Sequence, residues 1–413
     1  MRLPRSIPAF LAASALMHAP ATFADVVLDW NEIGLSKSMA AKQLPPDAAR
    51  TMAIMHVAMF DAVNAIESRY RPYAYQGARR IDASPDAAVV AAAHAILAQL
   101  FPGEAQGLDA AQAASLSGIP EGEAKSAGLA LGRAVASQCL QMRGQDGSGK
   151  AGAYKPRVQP GIYVATAYPV SSEWAQVKPF VMNDAAQFRP PPPPPLDSQQ
   201  WSRDLEEIRA IGARASTTRS REQTDVARFW AITGPASWNP LVRSLAQSRP
   251  ASLVDNARLF ALVNMAATDA FIAVFDAKYA YEFWRPITAV RHAGADPAWL
   301  PLVDTPMHPE YPCAHCISSA AVATVLEAHF GRGTIPVVHM TSPTAPGVTR
   351  SWSRVGDYVT EVNNARIWGG IHYRNSTEVG ERMGRRIGAL AIERQLTALD
   401  GPSEAVPATM SAR

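Results

Sequence analysis

Cysteine is scarce in this chain, with three among 413 residues, at positions 139, 313 and 316. Cys313 and Cys316 form a C-x-x-C, yet no second cysteine pair exists to complete a structural zinc site. Ile317 follows the second cysteine where covalent haem attachment would need histidine, and the βαβ pattern around a thioredoxin-like redox site is missing. Cys139, inside a helical stretch, reads as a buried free thiol. Long apolar runs are missing too. The most apolar stretches, 87–101 and 259–274, are short or broken by Asp269, below the roughly 18 uninterrupted residues of a membrane span. Neither sign of charge dominates, since the formal net charge is +3, and nothing suggests a nucleic acid partner. No segment repeats at a period of roughly 20–50 residues.

What is present begins with an address. Arg2 and Arg5 precede an apolar stretch from Ile7 to Met17, and Thr22-Phe23-Ala24 offers small residues for cleavage. Residues 1–24 are expected to be a signal peptide, giving a secreted or periplasmic protein. Without those two arginines the formal charge falls from +3 to +1, so the sequence pI of 8.7 overstates the basicity of the remainder.

The remainder reads as helical almost throughout. Pro45-Pro46-Asp47 opens a helix with the stripe Met52, Met55, Met59, Val63, Ile66, and Ser84-Pro85-Asp86 opens another that stops at Pro102-Gly103. A third runs from Glu121 to Met142. The character then changes, for residues 144–197 are rich in Gly, Pro and aromatics and include six prolines from Pro190 to Pro195, read as a stiff spacer. Helices resume at Ser198 and Ser220, and Ser252-Leu253-Val254-Asp255 caps a long one that delivers Lys278. The expected organisation is an N-terminal helical region (25–143), an irregular middle (144–197), a C-terminal helical bundle (198–400) and a tail (401–413). The fold class is all-α.

Three fragments of the second half carry chemistry: Lys278 with Arg285-Pro286, Pro312-Cys313-Ala314-His315, and Arg366 with His372. Lys278 and Arg285 are seven residues apart in a stretch that reads as helix, so two turns would set both cations on one face. Past Pro312 the run Ile317, Ala320, Ala321, Val325, Ala328 has helical spacing up to Gly331, which makes Cys313 to His315 a helix start with unpaired N–H donors. A third helix, from about Ser353 to Trp368, ends at Gly369-Gly370 with Arg366 on its last turn and His372 just beyond. Three fixed cations, two histidines and a helix N-terminus can together hold a tetrahedral oxyanion. His56, His94 and His329 lie in apolar helical runs and read as core or half-buried, whereas His308 lies in a loop near the site.

In order and spacing these fragments resemble the signatures KxxxxxxRP, PSGH and SRxxxxxHxxxD, shared by vanadium-dependent haloperoxidases and type 2 phosphatidic acid phosphatases. Lys278, Arg285, Pro286, Pro312, His315, Arg366 and His372 match. Cys313 stands for Ser, Ala314 for Gly, Ala365 for Ser and Ser376 for Asp. Asp29-Trp30-Asn31, Met52-Ala53-Ile54-Met55-His56 and Asp276-Ala277-Lys278-Tyr279 are similar to the secreted bacterial haloperoxidase-like branch. The absence of a membrane span separates the chain from the membrane-embedded lipid phosphatases.

The resemblance implies a helical bundle of the vanadium chloroperoxidase and acid phosphatase type with core motifs at 278–376. It implies vanadate as cofactor, apically bound by His372 and held by Lys278, Arg285, Arg366 and the helix start at Cys313 and Ala314, with His315 handling protons while hydrogen peroxide oxidises halide. Asp276, His308 and Ser376 are expected behind these. The same cage would serve a secreted acid phosphatase, with no cofactor, in which His372 attacks the phosphorus of a phosphomonoester. A non-enzymatic oxyanion-binding protein is a third reading. Ser376 is a weaker, neutral partner for the histidine, which argues against a strongly nucleophilic His372 and for the haloperoxidase. Cys313→Ser is expected to tighten anion binding, and oxidation across Cys313 and Cys316 to disturb the first helical turn.

Overall fold

The computed structural model describes residues 25–165, 167–294 and 296–399, so the expected leader and tail lie outside the described residues. Thirteen α-helices and one short hairpin are found among them. The N-terminal helices are α1 (Val26–Ala40), α2 (Pro45–Glu67), α3 (Pro85–Leu100), α4 (Ala105–Leu116) and α5 (Glu123–Arg143). After the irregular stretch come α6 (Gln199–Ile211), α7 (Arg221–Phe229), α8 (Asn239–Ser248) and α9 (Leu253–Tyr281). Then follow α10 (Pro286–His292), α11 (Ala314–Phe330), α12 (Val355–Trp368) and α13 (Arg374–Arg394). Strands β1 (Val338–Thr341) and β2 (Thr349–Trp352) pair antiparallel, Val338 opposite Trp352. Sequence patterning anticipates neither this hairpin nor α1 and α4.

The helix starts follow their caps. Ser84, Ser198 and Ser252 each accept a backbone N–H of the first turn, and Ser220 forms a full capping box with Gln223. Helix α9 is long and apolar enough to cross a membrane, but its apolar window is wholly buried, packed between α2 on one side and α11 on the other. It is the axis of the molecule. Asp269, which interrupts its apolar run, accepts the backbone N–H groups of Phe180, Val181 and Met182 at 2.7, 2.8 and 2.8 Å, fixing the irregular stretch to the core. Asp61 does the same from α2 for Tyr73, Ala74 and Tyr75.

Helices α11 and α13 approach closely because α13 presents Gly380, Gly384 and Gly388 at four-residue spacing. A Cβ on Gly384 would lie 2.1 Å from the carbonyl oxygen of Ile317, so any side chain there would push α11 away. The helix that starts at the candidate site is thus seated by residues with no side chain.

The N-terminal helices are tied to α8 and α9 by a buried polar network. Asn31 donates to Asn239 Oδ1 (2.7 Å) and lies 2.8 Å from His56 Nε2, while Arg243 donates to Asn31 (2.8 Å). His56, stacked on Phe260, is fully buried as expected; burial and then the Arg243 charge hold its pKa at about 3. The other two are half-buried, also as expected, His94 lying 2.7 Å from Asp109. A histidine held below its unfolded value stabilises the fold fully above about pH 6.5 and loses that contribution as pH falls toward 3. Replacing it with glutamine should therefore reduce the acid-side slope of unfolding free energy by close to one proton, about 1.4 kcal/mol per pH unit. Denaturant titrations at several pH values measure this, and parallel slopes would contradict it.

Candidate active site

Lys278 and Arg285 do not share a helix face. Helix α9 ends at Tyr281, Glu282 adopts a left-handed conformation (φ 49°), and Arg285 is the extended residue that caps α10. The two cations meet because the chain reverses between them. Lys278 Nζ donates to the carbonyls of Pro309 (2.9 Å) and Glu310 (2.7 Å). Arg285 donates to the carbonyls of His308 and Ile371 (both 2.9 Å) and reaches His308 Nδ1 at 3.0 Å and His372 Nε2 at 3.4 Å. Arg366, on the last turn of α12, donates to the Trp230 carbonyl, and its Nε is buried without a partner among the described residues.

These three cations are 0%, 1% and 2% exposed. Burial, with the neighbouring Arg285 charge, holds Lys278 well below its ordinary value, and burial brings Arg285 to about 10 and Arg366 to about 9. One carboxylate accompanies them. Glu310, fully buried, has its own pKa pushed up to about 7 by burial against the pull of Lys278 and Arg285. Three cations against one carboxylate leave two surplus positive charges, the complement of a dianionic oxyanion.

Glu310 is the residue that sequence reasoning missed. Its Oε1 lies 2.7 Å from His372 Nδ1 and also accepts the Tyr373 N–H at 3.2 Å. Nδ1–H therefore donates to the carboxylate and Nε2 keeps its lone pair, turned toward Arg285. Ser376 Oγ is 3.5 Å from Nδ1, too far for a good hydrogen bond. A carboxylate thus orients the ring after all, which removes the argument that His372 lacks activation. The stretch Glu310-Tyr311-Pro312 carries no sequence signal that marks this carboxylate as buried.

At the start of α11 only part of the expected donor set is free. The Cys313 N–H donates to the Ser376 carbonyl (3.2 Å) and the Cys316 N–H to Cys313 Sγ (3.1 Å), leaving those of Ala314 and His315 without a partner among the described residues. Cys313 and Cys316 are joined by a disulfide, and the helix nonetheless begins at Ala314. The expected conflict between that bond and the first turn does not arise. Cys139 is free and buried, as expected. His315 Nε2 lies 3.0 Å from the Ile232 carbonyl, which can only accept; Nε2 carries the proton and Nδ1 is left as the acceptor. Burial, then the charge of Arg366, holds His315 well below its ordinary value.

His308, expected behind the cage, instead lines the cavity, 3.0 Å from Arg285 and edge-on to Phe275. Asp276 does not join the cage, because its carboxylate takes a bidentate pair from Arg189 (2.7 and 2.6 Å), next to the proline run. Pro190 and Pro191 accept hydrogen bonds from Tyr281 and Tyr311, so the prolines brace the back of the site. A cavity of about 360 Å³ opens onto Arg366, His308, His315 and His372, with Pro45, Pro46, Phe271, Phe275, Pro306 and Met307 among its apolar walls. No cluster of three metal-ligating side chains occurs among the described residues.

Residues 258–401 match the family model described as the VCPO second helical-bundle domain. Over 151 residues the chain is 34% identical to the vanadium chloroperoxidase of Curvularia inaequalis, an alignment covering 29% of this chain and 25% of that protein. The chain therefore spans about a quarter of the length of this curated relative. Among solved structures, a bacterial vanadium-dependent iodoperoxidase is similar with a TM-score of 0.81 at 24% identity, covering 93% of this chain and 100% of that one. Bacterial vanadium-dependent chloroperoxidases in apo and holo forms give TM-scores of 0.69 and 0.66 at 16% and 17% identity, each over 84% of this chain and 92% and 91% of theirs. The chain has the helical fold of the vanadium haloperoxidases, as the three signatures implied.

The disulfide makes a prediction. A cystine sulfur carries no proton to donate, whereas a serine hydroxyl at 313 could both cap α11 and donate to an anion. Cys313→Ser combined with Cys316→Ala should bind phosphate several-fold more tightly in titration calorimetry. Losing so short a cross-link should cost at most about 2 kcal/mol of stability. Weaker phosphate binding by the folded variant would contradict this.

Proposed function

We propose that the chain is a vanadium-dependent haloperoxidase, oxidising halide with hydrogen peroxide in a secreted or periplasmic setting. The observation that carries this reading is His372, whose Nδ1 is occupied by Glu310 and whose Nε2 lone pair lies 3.4 Å from the buried Arg285, with the charges of Lys278 and Arg366 also acting on the ring. That is a ligand histidine inside an oxyanion cage. The unpartnered Arg366 Nε, the free N–H groups of Ala314 and His315 and the two surplus positive charges fit vanadate. Bound there, vanadate would supply the activation of hydrogen peroxide for two-electron oxidation of a halide to hypohalous acid.

The chain's own groups do the rest. His372 Nε2 would be the ligand atom, Lys278, Arg285 and Arg366 would neutralise the oxyanion, and Lys278 retains one donor beyond its two carbonyl contacts. His315 Nδ1 is the ring atom able to take a proton from peroxide in the cavity. The apolar walls limit water around that transfer. A disulfide suits an oxidising compartment and supports the reading of residues 1–24 as a signal peptide.

The acid phosphatase reading draws on one observation, that Glu310 gives His372 the carboxylate a nucleophile needs. Against it, His315 is a neutral base whose protonated nitrogen is already bonded to Ile232, whereas a leaving oxygen requires an acid. The purified chain should oxidise iodide or bromide with hydrogen peroxide after orthovanadate is added and not before. His372→Ala should lose tight vanadate binding, while His315→Ala should keep it and lose ~10²–10⁴-fold in turnover. Hydrolysis of p-nitrophenyl phosphate by vanadate-free protein, inhibited by vanadate and without halide oxidation, would establish the phosphatase instead.

A further inference from the structure

We infer that Glu310 has taken over the place of the aspartate that the signature puts at 376, so that the ligand histidine is oriented from a different segment of the chain. The inference rests on the haloperoxidase reading and concerns a positioning residue.

The carboxylate's choice of partner is the first argument. Glu310 is fully buried within a pocket holding Lys278, Arg285 and Arg366, yet its carboxylate pairs with none of them. A carboxylate present only to neutralise charge would bind the nearest cation. Here Lys278 instead grips the Glu310 backbone carbonyl (2.7 Å), and the Glu310 N–H donates to Phe283 (2.8 Å), which fixes the backbone while the side chain reaches the ring. Oε1 is also held by the Tyr373 N–H, so ring and following peptide share one acceptor.

The second argument is that positions 310 and 376 face one atom. Ser376 Oγ stands 3.5 Å from the Nδ1 that Glu310 binds at 2.7 Å, and the two residues border the same small void of about 10 Å³. That space does not admit a second carboxylate, and two carboxylates on one ring nitrogen would repel each other. Glutamate at 310 and aspartate at 376 should exclude one another.

This exclusion gives the test its sign. Measured by equilibrium dialysis, vanadate binding should weaken about 10–100-fold in Glu310→Ala. Ser376→Asp alone should weaken it too, and should lower the thermal unfolding midpoint. The double variant Glu310→Ala with Ser376→Asp should bind vanadate more tightly than either single variant. Phosphate binding by calorimetry, which needs the cations but no bond to Nε2, should change far less across the series. Should Glu310→Ala fail to fold, Glu310→Gln replaces it as the starting point, with a smaller expected loss and the same reversal on adding Ser376→Asp. Tight vanadate binding by Glu310→Gln or Glu310→Ala, or a double variant no better than the singles, overturns the inference. Wild-type protein that binds vanadate no better than phosphate would instead count against the haloperoxidase reading.

Discussion

Burying three cations around a space that a single carboxylate only partly neutralises is the constraint on which this structure turns. Each buried ion costs several kcal/mol unless its lost hydration is replaced, and the replacement here comes from backbone carbonyls. Pro309 and Glu310 take Lys278, His308 and Ile371 take Arg285, and Trp230 takes Arg366. Those carbonyls belong to loops and helix ends whose last C=O groups need no helical partner. The site therefore requires several helices to end at one place, and α9, α10, α11, α12 and α13 do so. What the carbonyls cannot supply is negative charge; Glu310 brings one carboxylate, and the rest of the demand is left for an anion.

The same logic explains the irregular middle segment. A proline run exposes carbonyls without offering N–H groups, so it can accept from Tyr281 and Tyr311 while imposing no strand of its own. Arg189 anchors its start to Asp276 on α9, one turn or less from Lys278. A spacer was the natural reading of six prolines. In place it is a brace that keeps the aromatic backing of the site from moving outward.

Much of this was legible in the sequence because it depends on local chemistry. Serine caps at 84, 198, 220 and 252 mark helix starts through bonds that span three residues, and Arg366 and His372 flank a glycine pair that ends a helix. What escaped depends on distance along the chain. Glu310 and His372 are 62 residues apart, and nothing in Glu310-Tyr311-Pro312 by itself distinguishes a buried carboxylate from a solvated loop residue. Lys278 and Arg285 misled for the opposite reason, since a seven-residue interval fits two helical turns as readily as a helix, a reversal and a new cap. The disulfide was undecidable because its geometry depends on the local turn, which spacing alone does not reveal.

That disulfide has a consequence for endurance. On the proposed function the pocket would handle peroxide and hypohalous acid, and a thiol at the cap of α11, next to the cavity-lining Ala314 and His315, would be open to oxidation through sulfenic and sulfinic acids. In cystine both sulfurs at the start of α11 have already given up the electrons most readily lost, and the remaining thiol, Cys139, is buried in α5 among the N-terminal helices. The exchange of a serine hydroxyl for a sulfur bridge thus trades one hydrogen-bond donor for a helix start with no free thiol to lose.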